Sequence, residues 1–164
     1  MTRSALPLLA LLAACGGPPP PVTTPSPADL SDDVRWVRTS AEYRALTLQV
    51  YRGATAAVGS AAAGRPAGSW GVILDADETV LDNSEHERRI VLAGVSFSDS
   101  TWAPWVRERA APAVPGAVEF IAEMSRRGGV VAIVTNRADS LCADTRANLE
   151  AVGVRAAMVL CKPT

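Results

Sequence analysis

The sequence predicts an α/β protein built on a parallel β-sheet. Three short apolar runs, at Val72–Leu74, Val130–Val134 and Ala156–Leu160, have the length and composition of buried strands. Apolar residues recur at spacings of three and four in the segments around them, which indicates amphipathic helices. A β-α-β-α-β order with short connections specifies parallel strands joined by right-handed crossovers.

Composition allows one globular domain and excludes partners attracted by long-range charge. The chain has 164 residues, of which 48% are hydrophobic, and this is enough for a single domain with its own core. The formal net charge is −1, so no field that attracts a nucleic acid polymer or an anionic membrane is indicated.

The first 15 residues are typical of an export signal. The cation Arg3 precedes the apolar run Leu6–Ala14, which is too short to span a bilayer. Small residues stand directly before Cys15, and this arrangement resembles the lipobox of bacterial lipoproteins. It implies cleavage before Cys15, acylation of that residue and a lipid anchor in the bacterial cell envelope, on the outer membrane or periplasmic face. The alternative is an ordinary secretory signal in which Cys15 has no role.

The composition predicts a tether over residues 16–30 and a folded domain over residues 31–164. The segment Gly16–Pro27 is rich in Pro, Thr and Ser and has no hydrophobic period, which is typical of an extended polyproline-like linker. Thr39 and Glu42 have the spacing of a capping box at the start of a helix. The apolar face of that helix is predicted to consist of Tyr43, Leu46, Val50, Ala54, Ala57 and Ala61.

Two more helices are predicted between the later strands. One begins near Pro115 and ends at Gly128, since proline favours the first turn of a helix and glycine its end. The other is capped by Asp139 or Ser140 and ends at Gly153.

Polar side chains follow the first two predicted strands. Asp75 and Asp77 come directly after Val72–Leu74, and Thr135 and Asn136 come directly after Val130–Val134. Two carboxylates crowded beside a buried strand are costly unless a cation or the chemistry of a ligand requires them. Because ligands of open α/β sheets bind at the carboxyl ends of the strands, the sequence predicts the functional site at this edge.

These residues resemble a known family. Asp75–Thr79 (DADET) matches the DxDxT motif of the haloacid dehalogenase-like hydrolases. Glu78–Ser84 (ETVLDNS) and Thr135–Arg137 (TNR) resemble its acid phosphatase branch, which includes the bacterial lipoprotein acid phosphatases (class C nonspecific acid phosphatases, some of them 5′-nucleotidases). The resemblance implies a Rossmann-like parallel sheet with helices on both faces and a small cap, with the C-terminal part of the core missing.

The resemblance also implies a mechanism. Mg²⁺ is expected on the carboxylate of Asp75 and the backbone carbonyl of Asp77. Asp75 is expected to attack phosphorus and form an aspartyl-phosphate, while Asp77 acts as general acid and base. Thr135 and the amides around Asn136 are expected to hold the phosphoryl oxygens.

The sequence allows two roles for each of several aromatic residues and for the single histidine. Trp102 and Trp105 belong to a W-x-x-W segment similar to one in the family, and they either stack on a nucleobase of the substrate or anchor the cap to the core. His86 is either a solvated surface residue or a participant in catalysis. Tyr43 and Tyr51 either reach the substrate or pack between helices.

Two features concern the end of the sequence. Cys142 and Cys161 are expected to pair, because an exported protein enters an oxidising compartment.

The family's GDxxxD motif is not present, and Lys162 precedes the position usual for the family's catalytic lysine, so the resemblance implies a fragment of a longer enzyme. The sequence therefore supports two hypotheses: an anchored Mg²⁺-dependent phosphomonoesterase acting on small phosphate esters, and a non-catalytic surface lipoprotein that uses a truncated phosphatase-like domain for binding.

Overall fold

The computed structural model describes residues 30–163, which form a three-stranded parallel sheet with helices packed against it. The predicted export signal and Cys15, and the tether up to residue 29, lie outside the described residues. A 3₁₀ turn, Asp139–Leu141, precedes the last helix. In chain order the elements are α1 (Asp32–Thr39), α2 (Ala41–Ala61), β1 (Gly71–Leu74), α3 (Ser84–Ala93), α4 (Asp99–Glu108), α5 (Ala117–Arg126), β2 (Val130–Ala138), α6 (Cys142–Ala151) and β3 (Met158–Lys162).

The sheet confirms the predicted α/β class and parallel order. The strands lie in the order β1-β2-β3, with Leu74 opposite Ile133 and Ile133 opposite Val159. The register between β2 and β3 shifts after Thr135, which pairs with Cys161. The strands therefore bring the residues after Leu74 and the residues around Thr135 to the same edge of the sheet.

The start and the inner face of α2 differ from the prediction. Ser40, and not Thr39, caps the helix, because its hydroxyl accepts the backbone N–H groups of Glu42 and Tyr43 at 3.0 and 3.2 Å. Thr39 is the last residue of α1, a helix that the sequence analysis did not predict. The predicted face is also wrong in part, since Leu46 and Val50 are exposed. The residues of α2 that pack against the core are Tyr51, Ala54 and Val58.

The core lies on one face of the sheet. Val131 and Ile133 of β2 are buried there against α5, whose inner face is Ala117, Phe120, Ile121 and Met124. The opposite face carries Ile73, Val134, Met158 and Leu160, all exposed, with Ile73 at 76% of its full accessibility. The helices expected on both faces are thus found, within residues 30–163, on one face only.

A disulfide fastens α6 to β3. Cys142, the first residue of α6, is bonded to Cys161 of β3, and their Cα atoms are 5.9 Å apart. The expected pairing of these cysteines is confirmed. None of the helices between residues 30 and 163 is both long and apolar enough to cross a bilayer.

Candidate active site

The loop after β1 is a tight turn that fixes the backbone of the acidic motif. The carbonyl of Ala76 accepts the N–H groups of both Val80 and Leu81, and Glu78 N–H donates to the carbonyl of Leu81. Ala76, Val80 and Leu81 are fully buried. Glu78 has a φ of 52°, in the left-handed region that non-glycine residues seldom adopt. Between these buried residues, the Glu78 side chain is exposed and the Asp77 side chain is partly exposed.

Asp75 presents a carboxylate to solvent at the end of β1. Its Oδ1 accepts the N–H of Ala76 at 2.6 Å, and the side chain is exposed. Within the described part of the chain, its Oδ2 has no hydrogen-bond donor. An exposed carboxylate that is oriented through one oxygen and free at the other has the properties of an available nucleophile or metal ligand.

Asp77 is held in a buried ion pair with Arg137. Arg137 donates to Asp77 Oδ1 from Nη2 at 2.7 Å and from Nε at 3.0 Å, and its Nε approaches Oδ2 at 3.3 Å. Asn83 Nδ2 donates to the same Oδ1 at 2.8 Å. The Arg137 side chain is 1% exposed and that of Asp77 is 24% exposed. Within residues 30–163, Oδ1 therefore accepts three hydrogen bonds, while Oδ2 has a single long contact.

Asn83 connects this ion pair to the rest of the site. Its Oδ1 accepts the indole N–H of Trp105 at 2.9 Å and Arg137 Nη2 at 3.2 Å. Its backbone N–H and Nδ2 donate to Glu78 Oε1 at 2.9 and 3.1 Å. Desolvation raises the pKa of Glu78, and these hydrogen bonds from Asn83 oppose the rise. Asn83 is 2% exposed, so each of its polar atoms depends on these partners.

The sequence analysis missed the structural roles of Asn83 and Arg137, although both belong to the motifs it quoted. One signal was available for Arg137. A cation that follows a buried strand directly must find an acid when it is itself buried, and Asp77 is an acid at the same sheet edge. No pattern in the sequence distinguishes Asn83 from its neighbours.

Thr135 and Asn136 lie in the C-terminal half of β2, on the strand beside β1. Thr135 is 6% exposed, and its Oγ1 accepts the backbone N–H of Arg137 at 3.2 Å. Because this oxygen accepts from the backbone, its own proton is free to donate to another group. Asn136 is exposed and lines the adjacent cleft.

A cleft of 780 Å³ opens between the acidic loop, α4 and the end of β2. Asp77, Asn136 and Arg137 line one side, and the aromatic rings of Phe97 and Trp102 line another. The guanidinium carbon of Arg137 lies 5.2 Å from the centre of the Trp102 ring. The cleft therefore combines polar groups from the two strand ends with an aromatic wall, as small-molecule sites commonly do.

Trp105 and His86 lie in the interior instead. Trp105 is 3% exposed, and its bond to Asn83 favours the alternative that it anchors the cap to the core. His86 is 2% exposed and packs edge-on against Trp102, with ring centres 5.2 Å apart. The alternative of a solvated His86 is wrong, because the aromatic residues of α4 and Phe97 enclose its ring.

The two tyrosines of α2 pack beside the site. The hydroxyl of Tyr51 donates to the carbonyl of Thr79, and its ring packs on Phe120 at 5.4 Å. Tyr43 packs edge-on against Trp36 at 5.1 Å. Burial raises the pKa of both hydroxyls. These hydrogen-bond and ring contacts favour packing over contact with substrate.

Oxygen atoms that could act as ligands of a cation are present at the end of β1. The Asp75 carboxylate is exposed, and among the described residues no N–H group donates to the backbone carbonyl of Asp77. No three acidic, histidine or cysteine side chains converge between residues 30 and 163. One carboxylate and one carbonyl nevertheless fit Mg²⁺, which keeps several water ligands when it binds to proteins.

Comparison with known proteins agrees with this geometry. The family described as HAD superfamily, subfamily IIIB (Acid phosphatase) matches residues 22–162. Two solved structures of the Class C acid phosphatase from Bacillus anthracis, one of them with tungstate bound, superpose on the chain with a TM-score of 0.74 at 30% sequence identity. The alignments cover 79% of this chain and 55% or 56% of theirs, so the chain spans little more than half the length of these relatives. The chain belongs to the acid phosphatase subfamily IIIB of the HAD superfamily.

Proposed function

We propose that the protein is a phosphomonoesterase that hydrolyses small phosphate esters through an aspartyl-phosphate on Asp75. The observation that supports this most directly is the meeting of three groups at one sheet edge. The free carboxylate of Asp75 and the oriented carboxylate of Asp77 follow the end of β1. Thr135 belongs to the adjacent strand β2, two residues beyond the partner of Leu74. Subfamily membership supports the same reaction class.

The reaction has two steps. A carboxylate oxygen of Asp75 attacks phosphorus and the bond from phosphorus to the ester oxygen breaks. Asp77 gives the departing alcohol the proton that it carries at the start of the cycle. Asp77 then takes a proton from water as that water attacks the aspartyl-phosphate, which releases phosphate and restores the Asp75 carboxylate. We assign to the Thr135 hydroxyl a hydrogen bond to a phosphoryl oxygen, and we assign the same role to the backbone N–H groups near Asn136.

A divalent cation belongs to this proposal, since enzymes of the HAD superfamily typically use one. We assign Mg²⁺ to the Asp75 carboxylate and the Asp77 carbonyl, with water as the other ligands. When bound, it reduces the repulsion between the Asp75 carboxylate and the phosphate dianion. Oδ1 of Asp77 is engaged with Arg137 and Asn83. We therefore assign the side chain of Asp77 to proton transfer through Oδ2 and not to the metal.

The aromatic wall of the cleft suggests a ring-bearing leaving group. Trp102 is partly exposed toward the cleft, and stacking on an aromatic side chain tolerates any nucleobase. We therefore propose 5′-nucleotides among the substrates. Trp105 has no free face for such stacking because it is buried.

We also propose that a lipid on Cys15 anchors the protein to the bacterial cell envelope. The small residues before Cys15 support lipidation of that cysteine, with residues 16–30 as a tether on the bacterial cell envelope. Metabolic labelling with a radioactive fatty acid tests this. We expect wild type to incorporate the label and the Cys15→Ser variant to remain unlabelled. Equal labelling of the two proteins would contradict the proposal.

The function itself is tested by phosphate release from p-nitrophenyl phosphate and a 5′-nucleotide, with Mg²⁺ and with a chelator. We expect Asp75→Asn to lower kcat by about a thousandfold or more, because it removes the attacking oxygen. Asp75 is exposed, so the variant should fold like wild type. Equal rates for the two proteins would refute the assignment. Binding of inorganic phosphate by an inactive wild type would support the alternative, a non-catalytic binding lipoprotein.

A further inference from the structure

The contacts of Arg137 are arranged around one oxygen of Asp77. Two of its nitrogens, Nη2 and Nε, lie 2.7 and 3.0 Å from Asp77 Oδ1, where Asn83 Nδ2 also donates at 2.8 Å. Among the described residues, the contact of Oδ2 is the 3.3 Å approach of Nε. The carboxylate is therefore held mainly through Oδ1, and the contact of Nε with Oδ2 restricts the rotation of its plane.

The guanidinium is itself held on every side. Its remaining nitrogen, Nη1, contacts Thr145 Oγ1 at 3.4 Å, and Nη2 also reaches Asn83 Oδ1 at 3.2 Å. One face lies against the ring of Trp102. With its side chain 1% exposed, Arg137 cannot leave Asp77 for solvent without the loss of all these contacts. The ion pair is a rigid part of the cleft wall.

We propose that Arg137 is a positioning residue, which orients Asp77 so that Oδ2 faces the oxygen of the leaving group. The inference rests on the proposed role of Asp77 in proton transfer. A misplacement of about 1 Å can reduce a rate by on the order of a hundredfold. Lysine cannot substitute, because its single ammonium group does not fix the plane of a carboxylate. Arg137 contacts both Asp77 and Trp102, so it also fixes the position of the acid relative to the aromatic wall of the cleft.

The chain offers a matched control in Arg109. This residue donates to Asp144 Oδ1 from Nε at 2.8 Å and from Nη2 at 2.7 Å, almost the geometry of the pair formed by Arg137. The Arg109 side chain is 54% exposed, and neither residue of that pair lines the cleft. Arg109→Lys therefore removes the same type of contact without touching the site.

The test compares two leaving groups. Nitrophenolate departs without protonation, whereas an alkoxide requires an acid. We expect Arg137→Lys to lower kcat/KM for an alkyl phosphate at least about tenfold more than kcat/KM for p-nitrophenyl phosphate, and Arg109→Lys to change neither. This ratio reports phosphoryl transfer to Asp75 and excludes the second step, which is common to both substrates. Guanidinium ion at a non-denaturing concentration should partly restore alkyl phosphate hydrolysis by Arg137→Ala. Equal losses on both substrates, as a general structural defect produces, would overturn the proposal.

A measurement on wild type separates this inference from the proposed function. The Nε–H of a buried, fixed guanidinium exchanges slowly with water, so we expect a sharp, protected Arg137 Nε–H signal in the NMR spectrum and a fast-exchanging Arg109 signal. Comparable fast exchange at both would overturn the positioning role, even if the variants do not fold. Wild type without turnover would contradict the proposed function, and the exchange measurement would still decide whether Arg137 is held on Asp77.

Discussion

At the scale of single residues, a small set of buried polar groups keeps the acidic motif in place. Asn83 receives hydrogen bonds from Trp105 and Arg137 and donates to Asp77 and Glu78. All these partners are wholly or partly withdrawn from water, so the loss of one side chain leaves several groups without a partner.

Asn83→Ala should therefore destabilise the protein by about 2–4 kcal/mol, because the buried indole N–H and the guanidinium lose an acceptor. Urea denaturation of wild type and variant measures this change in the free energy of unfolding. Asn136→Ala is the matched control. Asn136 is an exposed asparagine of the same site, and its removal should change stability by less than about 0.5 kcal/mol. Similar values for the two variants would contradict the role given to Asn83.

The positions of Asp75, Asp77 and Thr135 could be predicted because each follows an apolar run directly. The hydrogen-bond network could not be predicted, since the sequence shows residue types but not which polar groups become buried together. Trp105 illustrates this limit. Its W-x-x-W spacing allowed either stacking on substrate or anchoring, and only its burial against Asn83 distinguishes them.

At the scale of elements, α3 is joined to its neighbours by charged groups around Glu85. Its carboxylate accepts from Arg88 Nε and Nη2 at 2.8 Å each and from Arg89 Nε at 3.0 Å. Arg38 of α1 reaches it at 3.0 Å. Hydrogen bonding from Arg88, followed by that from Arg89, lowers the pKa of Glu85 from 4.5 to about 2.

The lowered pKa of Glu85 predicts a pH dependence of stability. A carboxyl group whose pKa falls on folding stabilises the protein above its unfolded pKa of 4.5, and this contribution is lost as the pH falls toward about 2. At pH 7 we expect Glu85→Gln to lower Tm by about 2–5 °C, a modest value because the group is partly solvated. The difference in Tm should narrow between pH 5 and pH 3. A difference that does not change with pH would contradict the account.

The disulfide predicts a second effect at this scale. Cys142 and Cys161 are 19 residues apart, and a loop of this length restricts the unfolded chain enough to give about 3 kcal/mol of stability. The double variant Cys142→Ser/Cys161→Ser should unfold at correspondingly lower denaturant. Wild type treated with a reductant should behave like the variant. If reductant leaves the unfolding midpoint of wild type unchanged, the bond does not contribute as proposed.

The order and type of the three strands and of α2, α5 and α6 followed from the sequence, whereas α1, α3 and α4 were not predicted. Apolar runs identified all three strands, but β2 continues to Ala138, four residues beyond the predicted end. Polar residues extend it because Ala138 still pairs with Lys162. In α2 the periodicity was correct for a helix, but several apolar residues with small side chains allowed more than one inner face, and Tyr51 determined which one packs.

At the scale of the whole molecule, the two faces of the sheet have opposite environments. Ile133 is fully buried among the helices, whereas Ile73, on the neighbouring strand and the opposite face, is 76% exposed. Alternation along the strands accounts for the difference, since successive side chains point to opposite faces. Continuous apolar runs suggested burial on both faces, so the exposed face could not be predicted from the runs alone.

Lysine substitutions test this asymmetry. Ile73→Lys should change the free energy of unfolding by no more than about 0.5 kcal/mol, because the ammonium group stays in water. Ile133→Lys should cost more than about 4 kcal/mol, because it buries a charge without a partner. Chemical denaturation measures both values. Equal costs at the two positions would show that the second face is covered in this chain.

The central claim is that Asp75 carries the phosphoryl group during turnover. Acid quenching of the protein with a phosphomonoester and Mg²⁺, followed by peptide mass spectrometry, tests it directly. The account predicts the added mass of one phosphoryl group on the peptide that contains Asp75, located on Asp75 by fragmentation and missing from Asp75→Asn. Turnover with the phosphoryl group on another residue, or Asp75→Asn turning over as fast as wild type, would contradict it.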